Sequence, residues 1–378
     1  MALNTVPLDG FRVIDNADLQ RGVELNIRRF RNQVSPFGNL SNNGPAGPIM
    51  IDTYYGLPYD SSVMRAGAIY GPTDALPPST IDGLATDGFL RVPFRRIPRI
   101  RIRNESQLRA FVNTLSAAED EMRFYFRGQP QEYLLPRSEE TRDSLYGDRN
   151  TIEPSLLPSS ARSGLPLEVI MPEWCWALRI FLQRHRQTIR SWARESALKE
   201  VDEALDHLGR SFRLGLLALA LAQHYGLPSP GLDISDDLSI ALFFAMNRFK
   251  PKEGSARTLL RVPKRIDEAP SVLYVFAVYP RFTLNYDDIR PIGFPLGRPD
   301  RQRAFFLHTG WGLSTNECAR RLIAALYLEP GARFATAMTT ALFPPPQDDA
   351  FANFLLTLRP RADSPFARYL ERLYWVLD

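Results

Sequence analysis

The chain has 378 residues, which is enough for one large domain or two ordinary ones with a sizeable hydrophobic core. Its composition, 44% hydrophobic and 23% charged, excludes wholesale disorder, and its two cysteines are too few for a disulfide framework and lack metal-ligand spacing. The net charge of +4 does not by itself establish nucleic-acid binding. The N-terminus has no basic segment followed by an apolar run, and the longest apolar stretch is about half of a membrane span. We therefore expect a cytoplasmic protein with no membrane partner.

Residues 1–104 differ from the rest because they are rich in Gly, Pro, Asn and Asp and show little helical periodicity. This composition predicts an irregular N-terminal region with short strands, wrapped on the main body or reaching a protein partner. The region ends in an arginine-rich segment, which has seven arginines from Arg91 to Arg109. Arginine alternates with isoleucine from Arg99 to Arg103, which favours a solvated edge strand. A surface for phosphates or for an acidic partner is the alternative.

Residues 105–378 have regular periodicity and predict one α+β domain, with a mixed or antiparallel sheet, several packed helices and further helices at the C-terminus. The predicted strands cover Met122–Gly128, Ser271–Tyr279 and the residues around Ala304–Thr309. One predicted helix begins at Ser106. The other predicted helices cover Pro172–His207, Leu214–Tyr225, Asp236–Phe249, Glu317–Leu328 and Arg368–Leu377.

Three sequence blocks carry a family resemblance. The first is Phe126-Arg127-Gly128-Gln129 at a strand end, followed by Glu-Pro-Ser-Leu-Leu-Pro at 153–158. The second is Leu-Ala-Leu-Ala-Gln-His-Tyr-Gly-Leu-Pro at 219–228, followed by Leu-Asp at 232–233 and Ala-Leu-Phe-Phe-Ala at 241–245. The third has Arg298, Gln302 and Phe306. In this order, spanning roughly 105–358, the blocks resemble the FRG domain family, which is named for its Phe-Arg-Gly signature.

The sequence departs from the family pattern at two places. The family usually has Thr-Arg-Leu-Leu-Asp-Trp-Thr after Gly-Leu-Pro, whereas this chain has Ser-Pro-Gly-Leu-Asp-Ile-Ser at 229–235. Pro230 therefore replaces an arginine that could bind an anion. Ala304 stands where the family has a glycine.

The resemblance extends more distantly to ADP-ribosyltransferases, and it implies a fold core of that kind, with NAD as the substrate and no metal. It implies that Arg127 holds the pyrophosphate or ribose, that Ser235, or Tyr225 by stacking, positions the nicotinamide ribose, and that Gln302 bonds a ribose hydroxyl. The implied catalytic residues are Arg127, Ser235 and Gln302. The implied cofactor-binding residues are Arg127, Gly128, Gln129, Gln223, His224, Tyr225 and Asp233.

Each of these residues also has a structural interpretation. Arg127 could pair with Asp233 or Glu153, and Ser235 could cap the following helix. The remaining candidates could cap a helix, pack in a turn or fix loop geometry: Gln223, His224, Tyr225 and Asp233. Gln302 stands where many such transferases keep a glutamate, and a neutral amide cannot act as a base. His308 and Trp311 are further candidates for which packing is the simpler interpretation.

Two functions of different classes follow. The first is an NAD-dependent ADP-ribosyltransferase-like toxin or effector in bacterial or phage conflict, with a nucleic-acid or protein acceptor. The alternative is a non-enzymatic module that binds a nucleotide, a nucleic acid or a protein, which the arginine-rich segment and Gln302 favour. A scaffold that assembles through the N-terminal region is a third possibility.

Overall fold

A computed structural model describes residues 11–14, 49–52, 57–60, 83–92, 95–115, 122–140, 142, 148–163, 167–187, 191, 202–203, 206, 212–251, 259–265, 270–278, 283–286, 297–307, 316–359, 365–370 and 373–376. The strands are β1 Phe11–Ile14, β2 Ile49–Asp52, β3 Leu57–Asp60, β4 Thr86–Val92, β5 Arg95–Ile102, β6 Arg123–Gln129, β7 Leu232–Ser235, β8 Asn247–Pro251, β9 Leu259–Arg265, β10 Ser271–Val278, β11 Thr283–Asn285, β12 Ala304–Leu307, β13 Leu322–Leu328 and β14 Tyr374–Val376. The helices are α1 Glu105–Thr114, α2 Ser159–Ser163, α3 Leu167–Arg184, α4 Phe212–His224, α5 Leu238–Met246, α6 Arg298–Arg301, α7 Thr339–Leu342, α8 Ala350–Thr357 and α9 Pro365–Leu370, with short 3-10 helices at Glu317–Arg321 and Pro346–Asp348.

Eight strands form the main sheet, in the order β11-β12-β7-β6-β10-β13-β5-β4. Its neighbouring strands run antiparallel, except that β13 and β5 run parallel. The predicted α+β class with a mixed sheet is therefore confirmed. The central strands β10 and β13 are buried along their whole length, as strands covered on both faces are.

Apolar side chains pack on both faces of the main sheet. One face contacts α1 and α5, through a cluster that includes Ile100, Phe126 and Leu273. The other face carries Tyr274 and Phe276, which pack with the 3-10 helix Glu317–Arg321 in a second cluster. A third cluster joins α3, α4, α8 and α9 and supports the C-terminal end of α4. These layers hold the sheet, α4 and α5 in fixed positions around the site described below.

Two predicted helices are wrong in part. Over Glu317–Leu328 the structure has a 3-10 helix followed by strand β13, which pairs with β10 on one side and β5 on the other. A continuous apolar run fits a buried strand as well as a buried helix, so periodicity could not distinguish them. The C-terminal helix α9 ends at Leu370, and the aromatic and β-branched residues of β14 pair parallel with β9.

The other predicted elements of the domain correspond to observed ones. β6, β10 and β12 confirm the three predicted strands, and α1, α4 and α5 confirm three helices within a few residues. α3 begins at Leu167 and includes Pro172, at which the sequence placed its start. The predicted end at His207, and the candidates His308 and Trp311, lie outside the described residues.

Parts of the N-terminal region form strands. β1, β2 and β3 make a small antiparallel sheet, in agreement with the short strands predicted there. β4 and β5 belong to the main sheet, and the division of the chain at residue 104 stays a prediction. The predicted edge position of the arginine-rich strand is wrong, because β4 lies outside β5. Ile100 and Ile102 are buried, as the alternation predicts.

Gly128 lies against the backbone of α5. A Cβ atom on Gly128 would lie 1.9 Å from the carbonyl oxygen of Ala241 and 2.4 Å from the backbone nitrogen of Ala245. The helix begins at Leu238, where the side chain of Asp237 caps it by accepting a hydrogen bond from the Ser239 N–H. Gly128 therefore sets how closely α5 approaches β6, and any side chain would push the helix away.

Gly128→Ala is expected to lower the free energy of unfolding by about 3 kcal/mol, because overpacking against a helix backbone forces that helix to shift. Gly215→Ala is the matched control. Gly215 lies inside α4, and a Cβ atom there would lie 3.7 Å from Sγ of Cys175, which is an ordinary contact distance. In a helix interior, alanine is more stabilising than glycine by up to about 1 kcal/mol. Urea denaturation followed by circular dichroism measures both variants. Equal effects of the two substitutions would contradict this packing account.

Candidate functional site

The main sheet splits between β6 and β7. These two strands share one residue pair, Phe126 with Ser235, whereas β6 pairs with β10 along its whole length. Arg127 spans the split, because its Nη1 donates a hydrogen bond of 2.5 Å to the backbone carbonyl of Asp233. The split opens a cleft between the two strands, bounded by the end of α4 and the start of α5.

A cavity of about 610 Å³ occupies this cleft, which is within the usual size range of small-molecule sites. Predicted site residues from all three sequence blocks line it: Arg127, Gly128, Gln223, His224, Asp233, Ser235 and Gln302. The other two predicted residues lie elsewhere. Gln129 lines an adjoining cavity, and Tyr225 is buried in the core. Residues far apart in the sequence therefore meet in one place, although their roles stay predictions.

Arg127 is a partly buried cation at the wall of this cavity. Burial lowers its pKa, the charge of Asp233 acts in the opposite direction, and the nearby charge of Arg162 lowers it further. The guanidinium remains protonated, since an arginine pKa lies far above neutral. Its Nε has no hydrogen-bond partner among the described residues. An anion in the cleft would satisfy this donor and relieve the repulsion from Arg162.

A hydrogen-bond network joins His224 to Gln302, beside Asp233. The Nδ1 of His224 lies 2.9 Å from Oε1 of Gln302, and its Nε2 lies 2.8 Å from the hydroxyl of Tyr286. Because an amide oxygen can only accept, Nδ1 of His224 is the donor to Gln302. Burial raises the pKa of Tyr286 well above its usual range, and the charge of Asp233 adds to this, so the hydroxyl stays a donor.

Asp233 supplies the carboxylate of the cleft. Its Oδ1 lies 3.3 Å from Nε2 of His224 and 3.4 Å from the hydroxyl of Tyr286. Its side chain keeps 20% of its surface exposed, whereas Gln302 is buried and its Nε2 donates to the carbonyl of Leu342 at 3.3 Å. Both amide atoms of Gln302 thus have protein partners. The geometry therefore favours Asp233 over Gln302 as the polar group that faces a ligand.

Ser235 is bonded on both sides by the protein. Its hydroxyl donates to the carbonyl of Gln302 at 3.1 Å and accepts from the N–H of Asp237 at 3.1 Å. The cap of α5 is Asp237, so the N-cap interpretation of Ser235 is wrong by two residues. Ser235 ties β7 to the loop before β12, which leaves its predicted catalytic role without support from its contacts.

A family comparison agrees with the first two sequence blocks. Residues 122–254, about a third of the chain, match the family model of the FRG domain. The chain contains an FRG domain. The third block, with Arg298 and Gln302, lies beyond the matched residues. Searches of the curated proteins and of the solved structures found no match.

The three residues that give the FRG domain its name have three different physical roles here. Phe126 is buried in the core beneath α1 and α5. Arg127 points into the cleft, and Gly128 allows the close approach of α5. Successive side chains of a strand alternate between faces, so the signature places a core residue, a binding residue and a packing contact in series.

Tyr225 belongs to a buried cluster, and its place in the cofactor-binding set stays a prediction. Its hydroxyl donates to Asp349 at 2.9 Å, and the guanidinium of Arg298 lies 4.7 Å from its ring centre. Gly226, with φ of +87°, ends α4 directly after it. The turn-packing interpretation therefore accounts for Tyr225, which does not line the cleft.

Arg298 connects this cluster to the cleft. It is fully buried, its Nε lies 3.5 Å from Oδ2 of Asp349, and its Nη1 donates to the backbone carbonyl of His224 at 3.0 Å. The contacts of the third sequence block therefore position other residues. Arg298 holds the end of α4, and Gln302 holds the ring of His224.

A second cavity, of about 450 Å³, adjoins the first. The two share part of their lining: Arg127, Gly128, Arg162, Phe244 and Arg261. Sequence reasoning missed Arg162 and Arg261, because each is a single arginine outside any motif. The interpretation that Arg127 pairs with Glu153 is also wrong. Glu153 instead pairs with Arg137 at 2.5 Å and accepts from Asn316.

Among the described residues, no three acidic, histidine or cysteine side chains come together as a metal site. No helix in the described part of the chain is long and apolar enough to cross a bilayer.

Arg298→Leu is expected to lower the free energy of unfolding by about 3–5 kcal/mol, because the carboxylate of Asp349 would stay buried without its cation. The matched control is Arg101→Gln, which removes an exposed pair with Asp87 and should change the unfolding midpoint little. Chemical denaturation of both variants measures the difference. An Arg298 variant as stable as the Arg101 variant would show that the buried cluster does not support the fold.

Proposed function

We propose that the cleft binds NAD and breaks the bond between its nicotinamide and ribose, so that the protein is an ADP-ribosyltransferase-like enzyme. The observation that carries this proposal is the meeting of Arg127, Gln223 and Asp233 in one cavity, next to a second cavity across an arginine-lined wall. Such a site offers cations for a diphosphate and a carboxylate for a developing positive charge. The FRG domain match supports the likeness of the sequence blocks and leaves the reaction open.

The arginines between the two cavities would hold the diphosphate. Arg127 lines this wall and has a buried Nε without a partner among the described residues, and the exposed Arg162 and the half-buried Arg261 line the same wall. A guanidinium binds phosphate oxygens through paired, charge-assisted hydrogen bonds. These three residues would compensate for the arginine that Pro230 replaces, since they supply positive charge to the same cleft from other parts of the chain.

Asp233 would stabilise the transition state. When the glycosidic bond breaks, its electron pair moves to the ring nitrogen of nicotinamide, and positive charge develops on the ribose. A fixed carboxylate in a partly dehydrated cleft favours this charge separation. The acceptor's hydroxyl or amine then bonds to the ribose carbon, and its proton passes to Asp233 or to solvent. Gln223, whose Oε1 has no partner among the described residues, would accept a hydrogen bond from the bound ligand.

Glycosyl transfer of this kind fits a cytoplasmic toxin or effector in bacterial or phage conflict, with a protein or nucleic acid as acceptor. Such a protein needs an acceptor surface near the cleft. The arginine-rich strand β5 offers less free charge than its sequence suggests. Arg99 is bonded to Tyr327 and Glu132, and Arg101 to Asp87.

A module that binds a nucleotide without transforming it is the second candidate. The observation in its favour is Gln302, which stands where an acid is usual and has both amide atoms engaged within the protein. A neutral residue there supplies neither a base nor a charge, so the cleft could recognise a nucleotide and present it to a partner. The two candidates differ in whether nicotinamide is released.

Asp233→Asn is expected to lower nicotinamide release from NAD by about a hundredfold, because it removes the charge that opposes the ribose cation and keeps the side-chain shape. Arg127→Ala should weaken NAD binding, because it removes a phosphate ligand. Chromatography of the products and calorimetry of NAD binding measure the two effects, with water and with a cell extract as acceptor.

The control is Arg333→Gln, which changes an exposed arginine that lines neither cavity and lies outside the arginine-rich segment. It should leave binding and release unchanged. NAD binding without release in the unmodified protein would favour the binding module. Absence of both would reject both candidates.

A further inference from the structure

The second cavity has the features of a base-binding subsite. It begins where β6 ends, and Gln129 lies on its wall together with Tyr133 and Leu134. Those two side chains are 42% and 46% exposed, so both can contact a ligand in the cavity. An exposed aromatic ring beside a concave surface can stack a planar ligand.

Gln129, which lines this cavity, has an unsatisfied acceptor. Its Oε1 is buried and has no hydrogen-bond partner among the described residues. A buried acceptor without a donor costs free energy, and a ligand that supplies an N–H group would remove this cost. The amide of Gln129 also carries two N–H donors, so it offers an acceptor and donors side by side.

The position of Gln129 relative to Arg127 suits a nucleotide. The two residues are separated by one position on β6, so their side chains leave the same face, about 7 Å apart along the strand. Arg127 belongs to the wall that the two cavities share, whereas Gln129 lines the second cavity alone. A ligand with phosphates at Arg127 would therefore extend its base toward Gln129 and Tyr133.

We infer that the second cavity binds the adenine base of an adenosine 5′-diphosphate group, with Gln129 reading its amino edge. Adenine presents an amino donor beside a ring-nitrogen acceptor, and a glutamine side chain pairs with both at once. On the edge that carries N7, hypoxanthine presents a carbonyl oxygen in place of the amino group, so two acceptors face the amide, and Oε1 of Gln129 meets an acceptor in either orientation of that amide. The inference rests on the proposed function in one respect, because the same group forms half of NAD.

Calorimetry with ADP and with inosine diphosphate tests this assignment. The unmodified protein should bind ADP about tenfold or more tightly than inosine diphosphate, since a two-bond base contact gives discrimination of this order. Gln129→Leu should abolish the preference by weakening ADP binding to the level of inosine diphosphate. Gln107→Leu is the control, because Gln107 bonds to the backbone of Arg103 at the start of α1, and it should keep the preference.

Tyr133→Ala supplies a second variant at an exposed side chain, so its fold is expected to stay intact. It should weaken ADP and inosine diphosphate equally, because stacking does not depend on the amino group. Equal affinity of the unmodified protein for the two nucleotides, or a preference that survives in Gln129→Leu, would overturn the inference. No ADP binding at all would do the same.

The outcome separates the subsite from the reaction. An ADP preference that requires Gln129, without nicotinamide release from NAD, would support the subsite and reject the proposed enzyme. Equal nicotinamide release from NAD and from its hypoxanthine analogue would support the enzyme and reject the subsite.

Discussion

The divergence of β6 from β7 is the constraint on which the site depends. One backbone pair, Phe126 with Ser235, joins the two strands, and the rest of β6 pairs on its other side with β10. A sheet that opens in its middle leaves backbone groups to be satisfied by other means. Arg127 satisfies one of them, the carbonyl of Asp233, and so holds the split at a fixed width. The same side chain is the cation that a ligand in the cleft would meet.

The elements around the cleft are fixed by contacts that lie outside it. Gly128 sets the distance to α5, and Arg298 ties the end of α4 to Asp349. Through the carbonyl of His224, that buried cluster also fixes the network that contains Gln302 and Tyr286. Preorganised groups of this kind need no rearrangement when a ligand binds, and this is how a rigid site gains affinity and rate.

The sequence predicted the fold class and the residues of the three blocks, but it could not predict that these residues converge in one cleft or which of their polar groups remain free. Gln302 and Ser235 have the residue types of ligands, yet their partners are Leu342, His224 and Asp237, which only the tertiary structure brings near. A segment with a clear helical period, such as α1, was predicted correctly, because it buries one stripe that contains Leu108 and Phe111. β13 was not, because its apolar run has no period that separates strand from helix.

The arginines that line the wall shared by the two cavities show a second limit of prediction from sequence. Arg162 and Arg261 lie outside every motif, so their presence beside Arg127 follows from the packing of α2 and β9 around the cleft. Arginines that form a conspicuous run, Arg99 and Arg101, instead pair with acidic side chains. Local charge density in a sequence therefore predicts a binding surface less well than the position of single charges in the fold.

Hydrogen–deuterium exchange with and without NAD tests the central claim, that the three blocks form one nucleotide site. The account predicts slower exchange in segments of all three blocks at once, 126–129, 223–235 and 298–304, together with helix α2, which carries Arg162. Protection confined to the arginine-rich residues 95–109, or unchanged exchange at saturating NAD, would contradict it.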